Sequence, residues 1–441
     1  MKKEHAKQLY SQCKETYKRC VDRYTAVCST GGIDIKCPSD FDDEFNVPAI
    51  LLFQELCSGN KKLNGHYDDF RRNLLRAIHD EDGFNTERLA QLPSFIQSRK
   101  YKVCFEVFFQ KKNDKVSLPF KRQLVVNGIK YRWCSQRTIR SMFDRHQTHQ
   151  KNSFNIPTLT LDQQRSLYFP TLTSDGRKCI HPMTTTVDAK SAYDALDIAL
   201  SNFEIVENAV NVAQAIGMRR ITFGGRRRPS TTMVTTGIFL ASSISDFDDL
   251  ILCNSGARIH EVPKQKLSFT EDPGRMELFH AIIRASCDNA PVSQRLITVV
   301  KELSLAYSTD IPGLRQLSCW RCLELATAKS NDNRKEKDVI HIFQNYYSNQ
   351  FWKQMGDLVL KSRNVYVHQG KLLNSGGFSS DYYLNWSQQY AEKSLLILLY
   401  LYKNRSVWKT EQQIDKFFDY YAESNDSLKV ARRLLSARTK R

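Results

Sequence analysis

Apolar positions recur every three or four residues from Lys3 to Val27, the spacing of a helix with one buried face. The same spacing predicts helices at Val47–Cys57, His66–His79 and Asn85–Gln97. Near Lys100 the pattern shortens. YKVCFEVFFQKK and RQLVVNGIKYRW carry β-branched and aromatic residues in brief runs between polar and Pro-containing stretches, as strands do. DRHQTHQKNS, Asp144 to Ser153, predicts a polar loop, and Asp188 to Ile216 a long helix with Ala195, Ala199, Phe203 and Ile205 on its apolar face. A second strand-like patch follows at Arg219–Ser243. After Pro273 the helical period returns: Met276–Cys287, Val292–Tyr307, Leu314–Ala328, Asp338–Gln369, Asp381–Lys403 and two shorter helices beyond. The expected fold is multidomain and mainly α: a helical N-terminal region at 1–99, an α+β domain at 100–270 and an all-α helical bundle at 271–441.

A length of 441 residues exceeds one hydrophobic core, and 41% hydrophobic residues suffice to fill two or three. The charge is lopsided, 65 Lys+Arg against 47 Asp+Glu for a net +18, which points to a polyanionic partner such as nucleic acid or a membrane surface. Twelve cysteines spread from Cys13 to Cys322 show no repeated spacing, so a reducing, cytoplasmic setting is expected in place of a disulfide framework. The start, MKKEHAKQLYSQCKETYKRC, is polar and helical and lacks the pattern of a secretory leader. SLLILLYLY, Ser394–Tyr402, is shorter than the run of about eighteen apolar residues that a membrane span needs, so a core helix is expected and membrane insertion is not.

KSRNVYVHQGK, Lys361–Lys371, places an arginine and a histidine five residues apart near the end of a helical run. The spacing alone is cheap: 32 arginines and 10 histidines yield roughly one such pair by composition, and Arg275–His280, RMELFH, is another. The surroundings differ. On an ideal helix Trp352, Met355, Leu358, Val359, Val365 and Tyr366 form the packed stripe, and Arg363 and His368 flank the opposite side. Gly356, Leu360 and Val367 form a second apolar strip there, which predicts cover by a second protomer. Asn364 precedes His368 by one turn, where its amide can bond the imidazole and set the tautomer.

RNVYVH on the penultimate long helix of an α-bundle resembles the Arg, polar residue, three residues, His signature of the HEPN superfamily of ribonucleases. The similarity is greatest to the larger, ApeA-like HEPN proteins of bacterial anti-phage defence. LSCWRCLELATAKS, Leu317–Ser330, is similar to the helix that precedes the motif in them, and YAEKSLLILLYLY to the one that follows. The resemblance covers roughly Pro273–Lys403. It implies a metal-independent endoribonuclease without cofactor, acting as a homodimer on RNA through one composite site. His368 would then act as general base or acid, Arg363 would stabilise the pentacoordinate phosphate, and Asn364 would position one of them. It also implies a toxin of abortive infection, answering to a phage-derived trigger or an inhibitory partner, with the N-terminal regions restraining it or sensing that trigger. The rival reading is a HEPN scaffold that binds nucleic acid without cutting. Gly370 stands where HEPN toxins silenced by nucleotidyltransferases carry a tyrosine, so modification at that site is not expected.

GGRRRPS sets Arg226, Arg227 and Arg228 on a tight turn, suited to phosphate contacts or simply solvated. Arg432 and Arg433 in KVARRLLSARTKR belong to a basic amphipathic helix able to follow an RNA backbone, or to a solvated terminal helix. Cys319 and Cys322, three apart in a helical pattern, are expected to be small core residues, and His146 and His149 to be loop residues without a metal.

Overall fold

The computed structural model describes residues 3–29, 39–59, 70–71, 74, 78, 99–111, 123–154, 160–162, 179–189, 192–216, 221–222, 225–226, 232–243, 251–253, 266–267, 272–329, 334–348, 350–373 and 380–422. Helices α1 (Lys3–Ser29) and α2 (Ser39–Gly59) pack together around Leu9, Cys13, Phe45 and Leu52. α2 starts well before its apolar run. The helices expected at 66–79 and 85–97 lie outside the described residues, except for Phe70, Arg71, Leu74 and Ile78, which are helical. Phe70, Leu74 and Ile78 are buried in the same core.

The middle of the chain builds an antiparallel sheet. Its strands are β1 (Arg99–Lys111), β2 (Gln123–Val126), β3 (Ile129–Trp133), β4 (Ile180–Ala189), β7 (Met233–Ser243) and β8 (Ile251–Cys253), in the order β2-β3-β4-β1-β7-β8. β9 (Lys266–Leu267) adds a short parallel pairing at the end of β1, and β5 (Ile221–Thr222) pairs with β6 (Gly225–Arg226) apart from the sheet. Helix α3 (Gln136–Phe154) buries Ile139, Met142 and Phe143 against Cys104 and Leu240 on one side. The polar loop expected at Asp144–Ser153 is therefore the second half of this helix. That segment has no Gly or Pro, and polarity alone does not break a helix whose first turns are anchored.

Helix α4 (Ala192–Ala215) lies on the sheet through Phe203, whose ring is 4.8 Å from Phe105 and 5.4 Å from Tyr131. Its buried Asn211 accepts from the backbone N–H groups of Thr232 and Met233 at 2.9 Å each, and Glu207 accepts from that of Thr235 at 3.0 Å, so both polar side chains cap the start of β7. The long helix was expected from Asp188. Asp188 and Ala189 instead end β4, because the β-branched run TTTV pairs with β1 up to Ala189↔Arg99.

The remaining helices form a bundle: α5 (Pro273–Ser286), α6 (Pro291–Ser308), α7 (Pro312–Thr327), α8 (Glu336–Tyr347), α9 (Gln350–Gln369), α10 (Ser380–Lys403) and α11 (Glu411–Ala422). The first three begin on proline, whose missing N–H costs nothing at a first helical position. α4 touches α5 and α6, and one continuous apolar core runs from the sheet into the bundle. Buried Arg295 on α6 pairs with Glu411 and, at 2.9 Å, with Asp415, fastening α11. Among the described residues no helix is long and apolar enough to cross a membrane.

The single helix expected at 338–369 is two helices, α8 and α9. Ser348 takes a left-handed conformation, φ 46°, and its N–H closes on the Gln344 carbonyl at 3.0 Å, ending α8. Gln344 then donates to the Lys353 carbonyl at 2.7 Å and to Asp357 at 3.0 Å, locking α9 to α8. The second apolar strip is corrected in the same place. Gly356 is buried within the chain, and a Cβ there would meet the Tyr390 hydroxyl at 2.6 Å and Gln344 Nε2 at 2.7 Å. Gly356→Ala is expected to lower the melting temperature. Overpacking costs about 1–3 kcal/mol, and here two hydrogen-bonded groups must also move, which outweighs the gain of about 1 kcal/mol that alanine brings to a helix interior. Calorimetry on the purified variant measures the difference.

Candidate active site

RNVYVH occupies the last two turns of α9, whose C-terminal end is closed by Gly370 at φ 65°, with the Gly370 N–H on the Tyr366 carbonyl at 2.9 Å. Two contacts with α7 fix the rotation of these turns. Buried Ser362 receives a hydrogen bond from Gln316, and the Tyr366 ring lies directly on Gly313, leaving no room there for a Cβ.

With the helix so placed, the three candidate residues divide. Arg363 turns toward α7 and α8: its Nη1 pairs with Glu336, and its guanidinium sits 5.4 Å from the Trp320 ring centroid. Asn364 and His368 open on the other side, into a groove of about 440 Å³ that runs along α9 from Asp357 to Gln369 past Leu360, Lys361 and Val365. Asn364 joins the two halves, accepting from Arg363 Nη1 through Oδ1 at 3.1 Å. The expected bond from Asn364 to the imidazole is absent among the described residues. The amide oxygen takes the adjacent guanidinium instead, in a charge-assisted bond. His368 is exposed at the carbonyl end of the helix and forms no hydrogen bond with a described residue, so no described residue sets its tautomer.

Trp320, Glu324 and Glu336 were given no role by the sequence. Trp320 stacks on Arg363 and donates its indole N–H to Glu324, so the Trp-x-x-Leu-Glu stretch of α7 forms the wall behind the arginine. Glu336, 27 residues before Arg363, has no signal in sequence beyond its place at a helix start. The packed stripe is also narrower than expected: Met355 and Val359 are buried, whereas Trp352, Leu358, Val365 and Tyr366 are half-buried. On the outward side Val367 is 47% exposed.

The decoy pair in α5 is built differently. Arg275 forms an ion pair with Asp272 at 3.3 Å, and exposed His280 meets the edge of Phe279. Cys319 and Cys322 are buried; loss of water around the thiols pushes Cys319 up to about 12 and Cys322 also upward, which leaves both unreactive. Arg226 lies on the short strand β6, while Arg227, Arg228, Arg432 and Arg433 lie outside the described residues. His146 and His149 fall on α3, not on a loop. Compared with protein-family models, with curated proteins and with solved structures, the chain matches none.

Proposed function

We propose that this chain is a metal-independent endoribonuclease of the HEPN kind, cutting RNA as a homodimer. The observation that carries the reading is one hydrogen-bonded run on α9: Arg363 held by Asn364, and Asn364 opening with His368 into a single groove. RNA brings its own nucleophile, the 2′-OH, so the reaction needs a proton acceptor, a proton donor and a cation. His368 takes the 2′-OH proton as that oxygen attacks the neighbouring phosphorus. Arg363 meets the charge on the phosphorane through its guanidinium, and a protonated His368 of the second protomer gives its proton to the leaving 5′ oxygen. The products are a 2′,3′-cyclic phosphate and a 5′-OH end. In this reading the protein is cytoplasmic and arrests growth during phage infection, with residues 1–270 restraining the bundle until a trigger arrives.

The test is incubation of purified protein with cellular RNA in EDTA, followed by mapping of the ends. Cleavage is expected to persist and to leave 2′,3′-cyclic phosphates; loss of activity in chelator sinks the metal-free mechanism. One observation favours the other reading, a scaffold that binds nucleic acid without cutting: in the single chain, Glu336 already neutralises Arg363. Intact RNA under every condition, with the dimer still formed, selects the scaffold.

A further inference from the structure

Trp386, Gln389, Lys393, Leu396, Tyr400 and Lys403 fall within a sector of α10 about 100° wide at 100° per residue. This is the outward side of the helix. Leu396 is 44% exposed and Tyr400 52%, Lys403 is exposed, and the other three are half-buried. The sector holds no acid. Lys393 Nζ lies 4.8 Å from the Tyr347 ring centroid and 5.2 Å from that of Trp352, rings that are themselves 5.2 Å apart. Phe351, 57% exposed, extends the aromatic surface beside Trp352.

Residues 370–379 join α9 to α10, and Trp352 near the start of α9 packs on Tyr390 at 5.4 Å. The two helices therefore run antiparallel, so the Trp386 end of the stripe leads toward the His368 end of α9. From Trp386 to Lys403 the stripe is about 26 Å long at 1.5 Å per residue.

We infer that this face of α10 is a docking track for single-stranded RNA, with bases stacked on its aromatic rings and phosphates paired with Lys393 and Lys403. Every base has a face to stack, and cations set among rings accept the backbone that comes with it. A protein partner would also use tyrosine and tryptophan, but an acid-free sector on a chain of net charge +18 selects a polyanion. The inference rests on the ribonuclease reading for the identity of its ligand.

The experiment uses full-length His368→Ala protein, so that binding is read without cutting, and a fluorescent oligouridylate of about ten nucleotides. Anisotropy is expected to show binding that weakens with salt. Tyr400→Ala, at an exposed position, should reduce affinity about tenfold, Tyr400→Phe should retain it, and Lys393→Gln should reduce both affinity and its salt dependence. Unchanged affinity in Tyr400→Ala and Lys393→Gln overturns the track. So does a Tyr400→Ala protein that shifts from dimer to monomer with RNA affinity intact, since the face then belongs to a second copy. Binding that depends on these residues, in a protein whose wild type never cleaves, supports the track and removes the ribonuclease. Cleavage with affinity indifferent to them does the reverse.

Discussion

His368→Ala is expected to lower RNA cleavage by about 10² or more, the effect of removing a general acid or base, with oligomeric state and melting temperature unchanged. The reason for sparing the fold is local. His368 is exposed, lies in the last turn of α9 and bonds no described residue, so truncation leaves no cavity and no unpaired partner among the described residues. Its stabilising contribution is limited to a cation at a helix C-terminus, about 0.3–1 kcal/mol when protonated. His280→Ala is the matched control. It removes an exposed histidine from the same Arg-x4-His spacing, and its arginine, paired with Asp272, is followed by Met276 where Arg363 is followed by Asn364. Equal cleavage by wild type and His368→Ala ends the enzyme reading; equal loss in both variants indicates a general effect of charge.

Arg363→Ala should reduce cleavage further, by about 10²–10³, the usual consequence of deleting a donor aimed at developing negative charge. Unlike the histidine variant it should also cost some stability, because Glu336 loses its cation and the Trp320 ring loses its cover. Arg363→Lys separates the two effects. Lysine keeps the charge for Glu336, yet its point-like ammonium cannot serve Glu336, Asn364 and a phosphate together as a planar guanidinium does. Its melting temperature should approach wild type while cleavage stays low, measured as kcat on a defined RNA. An Arg363→Lys protein with wild-type kcat contradicts the assigned role.

Much of the architecture was legible from period alone. The helices of the bundle, the paired runs after Lys100 and the long helix over the sheet each follow from an apolar repeat of the right spacing, which local geometry enforces. The failures share one cause. At Asp144–Ser153 polarity read as loop, but the fate of a polar segment depends on whether the turn before it is anchored, here by Ile139, Met142 and Phe143 under the sheet. At Ser348 one residue in a left-handed conformation divides a continuous helical pattern in two, and composition records no trace of it. At Gly356 a wheel drawn on one helix assigned an outward face to a residue that Tyr390 and Gln344 cover from inside the chain.

The motif divides the same way. That Arg363, Asn364 and His368 share one helix, and that Asn364 and His368 lie within a turn of each other, was determined by the sequence, because spacing along a helix is a property of the backbone. Only the tertiary structure decided that Arg363 faces Glu336 and Trp320, and that Asn364 serves the arginine and not the imidazole. Those outcomes depend on how α9 is rotated against α7 and α8. That rotation is set by Tyr366 on Gly313, by Ser362 with Gln316 and by Gln344 with Asp357. Each is a contact between residues on different helices, and no periodicity within a single helix encodes it.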